Sequence, residues 1–143
     1  IVNLNNSGSF IKFNHTNTNY NFAAQIEGSG DVILTKGTTR LKGGFNNYTG
    51  TLTVDSNGIL DVNASDTLDL GGAKFTQSSG GVLKIGVSSN SSYGKLVTTG
   101  TVTLPSNADI EIDVTGSAVT ASKLDDIISA GTLTSDGTFN VVI

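Results

Sequence analysis

Three carboxylates at alternate positions, Asp109, Glu111 and Asp113, form the densest cluster of chemically capable side chains in this sequence. On a strand, every second residue points to the same face. Held that way, the three have the chemistry to bind a divalent cation through oxygen or to take part in acid–base work. Ile110, Ile112 and Val114 occupy the positions between and after them, so a strand with one polar and one apolar face explains the pattern without a ligand. Two further acidic pairs, Asp66 with Asp69 and Asp125 with Asp126, have the residue types of a lyase or glycosidase, which needs carboxyls roughly 5–10 Å apart. Nothing in the spacing fixes that distance. Other catalytic stock is thin: one histidine (His15), one arginine (Arg40), no cysteine, no tryptophan, and no Gly-x-Ser-x-Gly elbow among the serines. His15, between Asn14 and Thr16, reads as a solvated turn residue. Phe10, Phe13, Tyr20 and Phe22 read as core packing near the N-terminal end, against the alternative of an exposed adhesive patch. The expectation is a protein that is not an enzyme and uses no cofactor and no metal.

The elements that must carry these residues follow from composition. Gly, Asn, Ser and Thr dominate the polar positions, while Val, Ile and Leu supply most apolar ones. That pairing favours many short strands joined by turns over helices. At 36% hydrophobic residues and a formal charge of −4, the chain is too apolar and too weakly charged to stay disordered. Eight scattered Lys and Arg against twelve Asp and Glu supply no cationic patch for phosphates, so no nucleic-acid partner is expected. No apolar run reaches the roughly 20 residues of a bilayer span, so no bilayer insertion by this segment is expected, and no leader pattern opens it. The sequence begins and stops within strand-like runs, Ile1–Leu4 and Phe139–Ile143, and looks like an excised segment. Absence of cysteine excludes disulfides and thiolate-bound zinc, and is compatible with export.

Alternation with period two marks half-buried strands at Tyr20/Phe22/Ala24/Ile26, Val32/Leu34, Leu52/Val54, Leu60/Val62 and Leu68/Leu70. Gly28-Ser29-Gly30, Lys36-Gly37, Gly43-Gly44, Asn57-Gly58, Gly71-Gly72 and Ser79-Gly80-Gly81 separate them as turn signals. Asn57-Gly58 on its own favours a hairpin, as in a sandwich. Spacing favours the competing arrangement, because Val32-Ile33-Leu34, Leu52-Thr53-Val54 and the region of Phe75 recur about every twenty residues, near one solenoid coil. Beyond Ser88 a polar loop, Ser88–Ser92, is followed by longer strands at 95–98, 101–104 and 108–114. Ser122–Gly131 reads as a strand entered from a turn, with a helical turn as the alternative.

Particular residues then point to a family. Phe45-Asn46-Asn47-Tyr48-Thr49-Gly50-Thr51-Leu52-Thr53-Val54, with Gly58 and Leu60 after it, resembles a coil of bacterial autotransporter passengers written N-x-YTG-x-T-x-V…G-x-L. Ile26–Gly37 is similar to the I-x-G-x-G-x-L-x-K-x-G coil that precedes it. Gly81–Ile85 and then Tyr93–Leu104, which includes Leu96, Val97, Gly100 and Leu104, resemble the G-x-L-x-I…D-x-L-x-V-x-G-x-A-x-L stretch, with Gly94 where Asp is common. Leu124–Gly131, with Ile127 and Ile128, and Gly137-Thr138-Phe139 resemble the Y-x-I-I-x-A…G-x-F closure.

The resemblance runs from about Ile26 to Phe139 and implies an all-β, right-handed parallel β-helix with a C-terminal capping hairpin or sandwich-like region. Residues 1–87 would be coils and 88–143 the cap, in one continuous domain. It also implies an exported segment at the bacterial surface or released from it. Its partners would be the rest of its passenger and a translocator β-barrel, and its role, that of an autochaperone region, would be to nucleate or cap folding. The alternative function is an adhesive or self-associating surface that binds host glycans or another copy. A tailspike or lyase-type β-helix is a third reading.

Overall fold

A computed structural model describes residues 1–118, 120 and 123–143. The chain winds as an all-β parallel solenoid of about five turns. The first coil contains β1 (Val2–Leu4), β2 (Phe10–Asn14) and β3 (Tyr20–Phe22), and the second β4 (Ile26–Gly28) and β5 (Asp31–Leu41). β6 (Phe45–Tyr48) and β7 (Thr51–Val62) make the third, then β8 (Thr67–Asp69), β9 (Lys74–Gln77) and β10 (Val82–Ser89) the fourth. After the two-residue β11 (Ser92–Tyr93) come β12 (Lys95–Thr103) with β13 (Ala108–Ala118), and last β14 (Ile128–Thr134) with β15 (Phe139–Val142). Each coil has three sides. Long strands such as β5 and β7 cover two of them by turning at a register shift, as between Leu34 and Lys36.

Parallel pairing stacks equivalent residues into columns. One column runs Ile11, Val32, Leu52, Phe75, Val102, Leu133, and a second runs Tyr20, Thr39, Leu60, Leu83, Ile110, Val141. Val32, Leu52, Phe75 and Val102 in the first, and Leu60 and Leu83 in the second, are fully buried. Each such side chain contributes about 1.5–3 kcal/mol by leaving water, and only stacking makes that burial available. Leu133 and Val141 hold the same column positions yet are 55% and 56% exposed, because no further coil covers them here.

The twenty-residue recurrence holds only for the early coils. Along the first column successive pairs lie 21, 20, 23, 27 and 31 residues apart. Two stretches between sides barely change: Val32 to Thr39 takes 7 residues, and Leu52 to Leu60, Phe75 to Leu83, Val102 to Ile110 and Leu133 to Val141 take 8 each, while Ile26 to Val32, Phe45 to Leu52, Leu68 to Phe75, Leu96 to Val102 and Ile128 to Leu133 take 5 to 7. Growth is confined to one corner. There the chain spends 4 residues from Phe22 to Ile26 and again 4 from Leu41 to Phe45, then 6 from Val62 to Leu68, 11 from Ile85 to Leu96, and 16 from Ile112 to Ile128.

Several local expectations are corrected or refined. Asn57-Gly58 is no hairpin turn: it lies inside β7, with Gly58 level with Gly37 of the parallel β5. The change of texture beyond Ser88 takes the form of an antiparallel β10–β11 hairpin carried on the coil. Instead of a separate sandwich, parallel pairing of β12 with β14 and of β13 with β15 continues to the last coil. In the 122–131 stretch, the strand begins only at Ile128; Ser122 lies outside the described residues.

Candidate functional site

The growing corner gathers most of the charged side chains that the sequence offers for chemistry. On the side that leads into it, residues of successive coils stack as Asn21, Arg40, Asp61, Lys84 and Glu111. From Arg40 onward the signs alternate. Arg40 donates from Nε to Asp61 Oδ2 at 2.8 Å, a second nitrogen lies 2.8 Å from the same oxygen, and Nη1 reaches Asn19 Oδ1 at 2.6 Å. The Asp61 side chain is only 2% exposed, so its pairing with that guanidinium offsets the cost of burying a carboxylate.

Lys84 lies 3.7 Å from Glu111 and 3.2 Å from Asp113. Partial burial works against its charge, but the Asp113 hydrogen bond and the negative charges of Asp61, Asp113 and Glu111 outweigh it and hold the ammonium pKa above its usual value. The third carboxylate, Asp109, accepts from Asn140 Nδ2 at 3.0 Å. The alternating carboxylates therefore form a face partly compensated by one lysine and hydrogen-bonded by an amide of neighbouring coils. Among the described residues no group of three or more His, Asp and Glu is arranged to hold a metal ion.

Where the corner turns between the second, third and fourth coils, a cleft of about 320 Å³ opens. Arg40, Lys42 and Phe45 from one turn of the corner and Asp61, Asp66 and Asp69 from the next line it. Lys42 Nζ donates to Asp66 Oδ2 at 2.6 Å across it, with both side chains about two-fifths exposed. Asp69 accepts the Gly71 N–H through Oδ1 at 2.8 Å. The Phe45 ring is half-buried and packs against Tyr48 at 4.8 Å between centroids.

Asp125 belongs to a different coil, where it pairs with exposed Lys123 at 2.8 Å. Asp126 turns the chain there with φ 57°. Beside the cleft, the Lys95 amide donates to the Asp66 carbonyl at 3.0 Å and thereby anchors the inserted residues. Those residues form a ridge: Thr120 N–H donates to Asn90 Oδ1 at 2.7 Å, Asn90 Nδ2 donates to Thr120 Oγ1 at 2.8 Å, and the Tyr93 hydroxyl donates to the Asp125 carbonyl at 3.0 Å.

The residues that carry the family resemblance do not converge on a point; they run along the solenoid. Asn47 turns the chain with φ 48°, and Tyr48 buries its ring at 2% exposure. Burial, reinforced by the Asp31 charge, pushes its phenol pKa well up. Its hydroxyl is enclosed beside the Val32 backbone without a hydrogen bond of good geometry. Thr49 faces solvent and its N–H donates to the Gly28 carbonyl. A Cβ on Gly50 would collide with the Gly30 carbonyl and stand 2.7 Å from the Tyr48 hydroxyl. Gly50 therefore serves close approach between coils, as Gly100 and Gly131 do over Ala73 and Thr99.

Val54, Leu60, Leu96 and Leu104 are buried, and Gly58 abuts the Leu34 carbonyl. Val97, Ile127 and Ile128 are half-buried, and Phe139 is 42% exposed on the last coil. His15 differs from the sequence reading. Its Nδ1 accepts the Asn17 N–H at 3.2 Å, its Nε2 lies 3.0 Å from Thr39 Oγ1, and its ring packs on Tyr20. Phe13 is buried between Tyr20 and Phe22, whereas Phe10 is 60% exposed under Lys12.

Asp61 was missed among the candidate acids because it has no acidic neighbour in sequence; its signal is a charge alternating from coil to coil. No family model matches the chain, and neither a curated protein nor a solved structure matches it.

Proposed function

We propose that this chain is a structural module: the C-terminal stem of a secreted, autotransporter-type passenger, displayed at the bacterial surface and without catalytic activity. Its later coils template the coils stacked on them. The observation that carries this reading is the pair of inward columns along the solenoid, in which Val32, Leu52, Phe75 and Val102 of one and Leu60 and Leu83 of the other are fully buried between the coils above and below. In such a solenoid the first coil is costly and later ones add to an existing edge, so a stable terminal unit lowers the barrier for the rest. The β10–β13 ladder, with seven registered pairs, and the β12–β14 ladder, with six, supply such an edge. The motif residues from Ile26 to Phe139 support the family assignment, whose partners are the remaining passenger and a translocator barrel.

The test is deletion of residues 96–143 from the full precursor, followed by protease digestion of passenger at the cell surface. Loss of display or of protease resistance is expected. Undiminished display and resistance would remove the folding role.

A further inference from the structure

We propose that the cleft at the growing corner is a binding subsite for an uncharged saccharide, about one or two sugar units long. Three observations converge on it. Both cations of the cleft are committed, Arg40 to Asp61 and Lys42 to Asp66, with Asp69 as a third carboxylate beside them. An anionic ligand would have to compete for one of those cations and would meet Asp69, whereas a neutral polyol can insert adjacent hydroxyls between an ammonium donor and a carboxylate acceptor without leaving either charge uncompensated. The Lys42–Asp66 pair is exposed enough to be reorganised at little cost, and Asp69 Oδ2 takes no part in the Gly71 hydrogen bond.

The second observation is apolar. The half-exposed Phe45 ring, held against Tyr48, borders the same cleft and offers a face for the C–H surface of a pyranose ring. A volume of about 320 Å³ stands at the lower end of small-molecule sites, roughly 300–1,000 Å³. Third, every insertion that lengthens the later coils is placed at this one corner, and the first of them meets Asp66 through the Lys95 amide. Solenoid insertions that share a face commonly build its binding surface. The ridge brings Asn90, Ser91, Tyr93 and Thr120 to that corner, uncharged donors and acceptors suited to further sugar units.

The test uses the full chain with lactose, maltotriose, cellotriose and chitotriose as neutral probes, in saturation-transfer NMR and calorimetric titration. Trigalacturonate and an oligolysine serve as charged controls. Binding of at least one neutral probe is expected, weakened at least fivefold in K42Q/D66N and in D69N, whose unfolding midpoints should stay at the wild-type value. Phe45→Leu, which keeps apolar volume beside Tyr48, should weaken the same probe by a smaller factor. Absence of transfer from every neutral probe, affinity unchanged in both polar variants, or tighter binding of a charged control would each overturn the assignment.

Discussion

Two corners of the same solenoid obey opposite rules. At one, Ser9, Gly30, Gly50, Ala73, Gly100 and Gly131 follow each other at the coil spacing, and the backbones approach so closely that a Cβ on Gly30, Gly50, Gly100 or Gly131 would strike the coil before it. At the other, the chain lengthens from 4 residues to 16 without disturbing the columns on either side. Close stacking leaves room only for Gly, Ala or Ser where coils touch. Where the turn projects into solvent, added residues need only complete their own hydrogen bonds, and lengthening a surface loop costs little conformational entropy.

This contrast can be broken most directly by Gly50→Val. The new side chain meets the Gly30 carbonyl and the enclosed Tyr48 hydroxyl, so both strain and disrupted stacking are expected, at a cost of about 3 kcal/mol or more. Urea unfolding followed by circular dichroism measures it; a loss below about 1 kcal/mol would show that the corner can relax. The complementary change replaces Ser89–Ser92 with a two-residue Asn-Gly turn. It removes ridge contacts such as Asn90–Thr120 but no buried column, and should shift stability by only about 0.5 kcal/mol in either direction.

The smallest expected effect concerns the last coil's turn. Asp136 accepts from the Ser106 hydroxyl at 2.6 Å, the Thr138 hydroxyl at 2.6 Å and the Thr138 N–H at 2.9 Å. These bonds, the one from Ser106 first, hold its pKa down at about 2 against an ordinary 3.8. Because the folded value is depressed, the stabilisation is complete above the unfolded value and fades as pH falls from about 3.8 through about 2. Acid titrations of wild type and Asp136→Asn should therefore converge toward pH 2; a constant difference over that range would mean that the carboxylate is not the source.

The coil was legible in the sequence because Val32, Leu52 and Phe75 recur at nearly one spacing and all point inward. The later coils were not, since Ile112, which ends one side, and Ile128, which begins the next, are separated by a stretch in which Val114, Val119, Leu124 and Ile127 keep no regular period. The longer strands beyond Ser88 were visible; the parallel register that stacks β13 between β10 and β15 was not. His15 was misread for the same reason: Thr39 is 24 residues away in sequence but one coil away in space. Asp66 and Asp69 are close in sequence, yet the cleft they line depends on Lys42, Phe45 and Asp61, which only stacking brings to them.

The alternating column has a last consequence, for the order in which coils assemble. Suppose one coil loops out and the next takes its place, an error to which near-identical repeats are prone. Arg40 would then face Lys84, or Asp61 would face Glu111, like charge on like. A skipped coil would be penalised at once and locally. From Arg40 to Glu111 the sign of one residue thus distinguishes each coil from its neighbours.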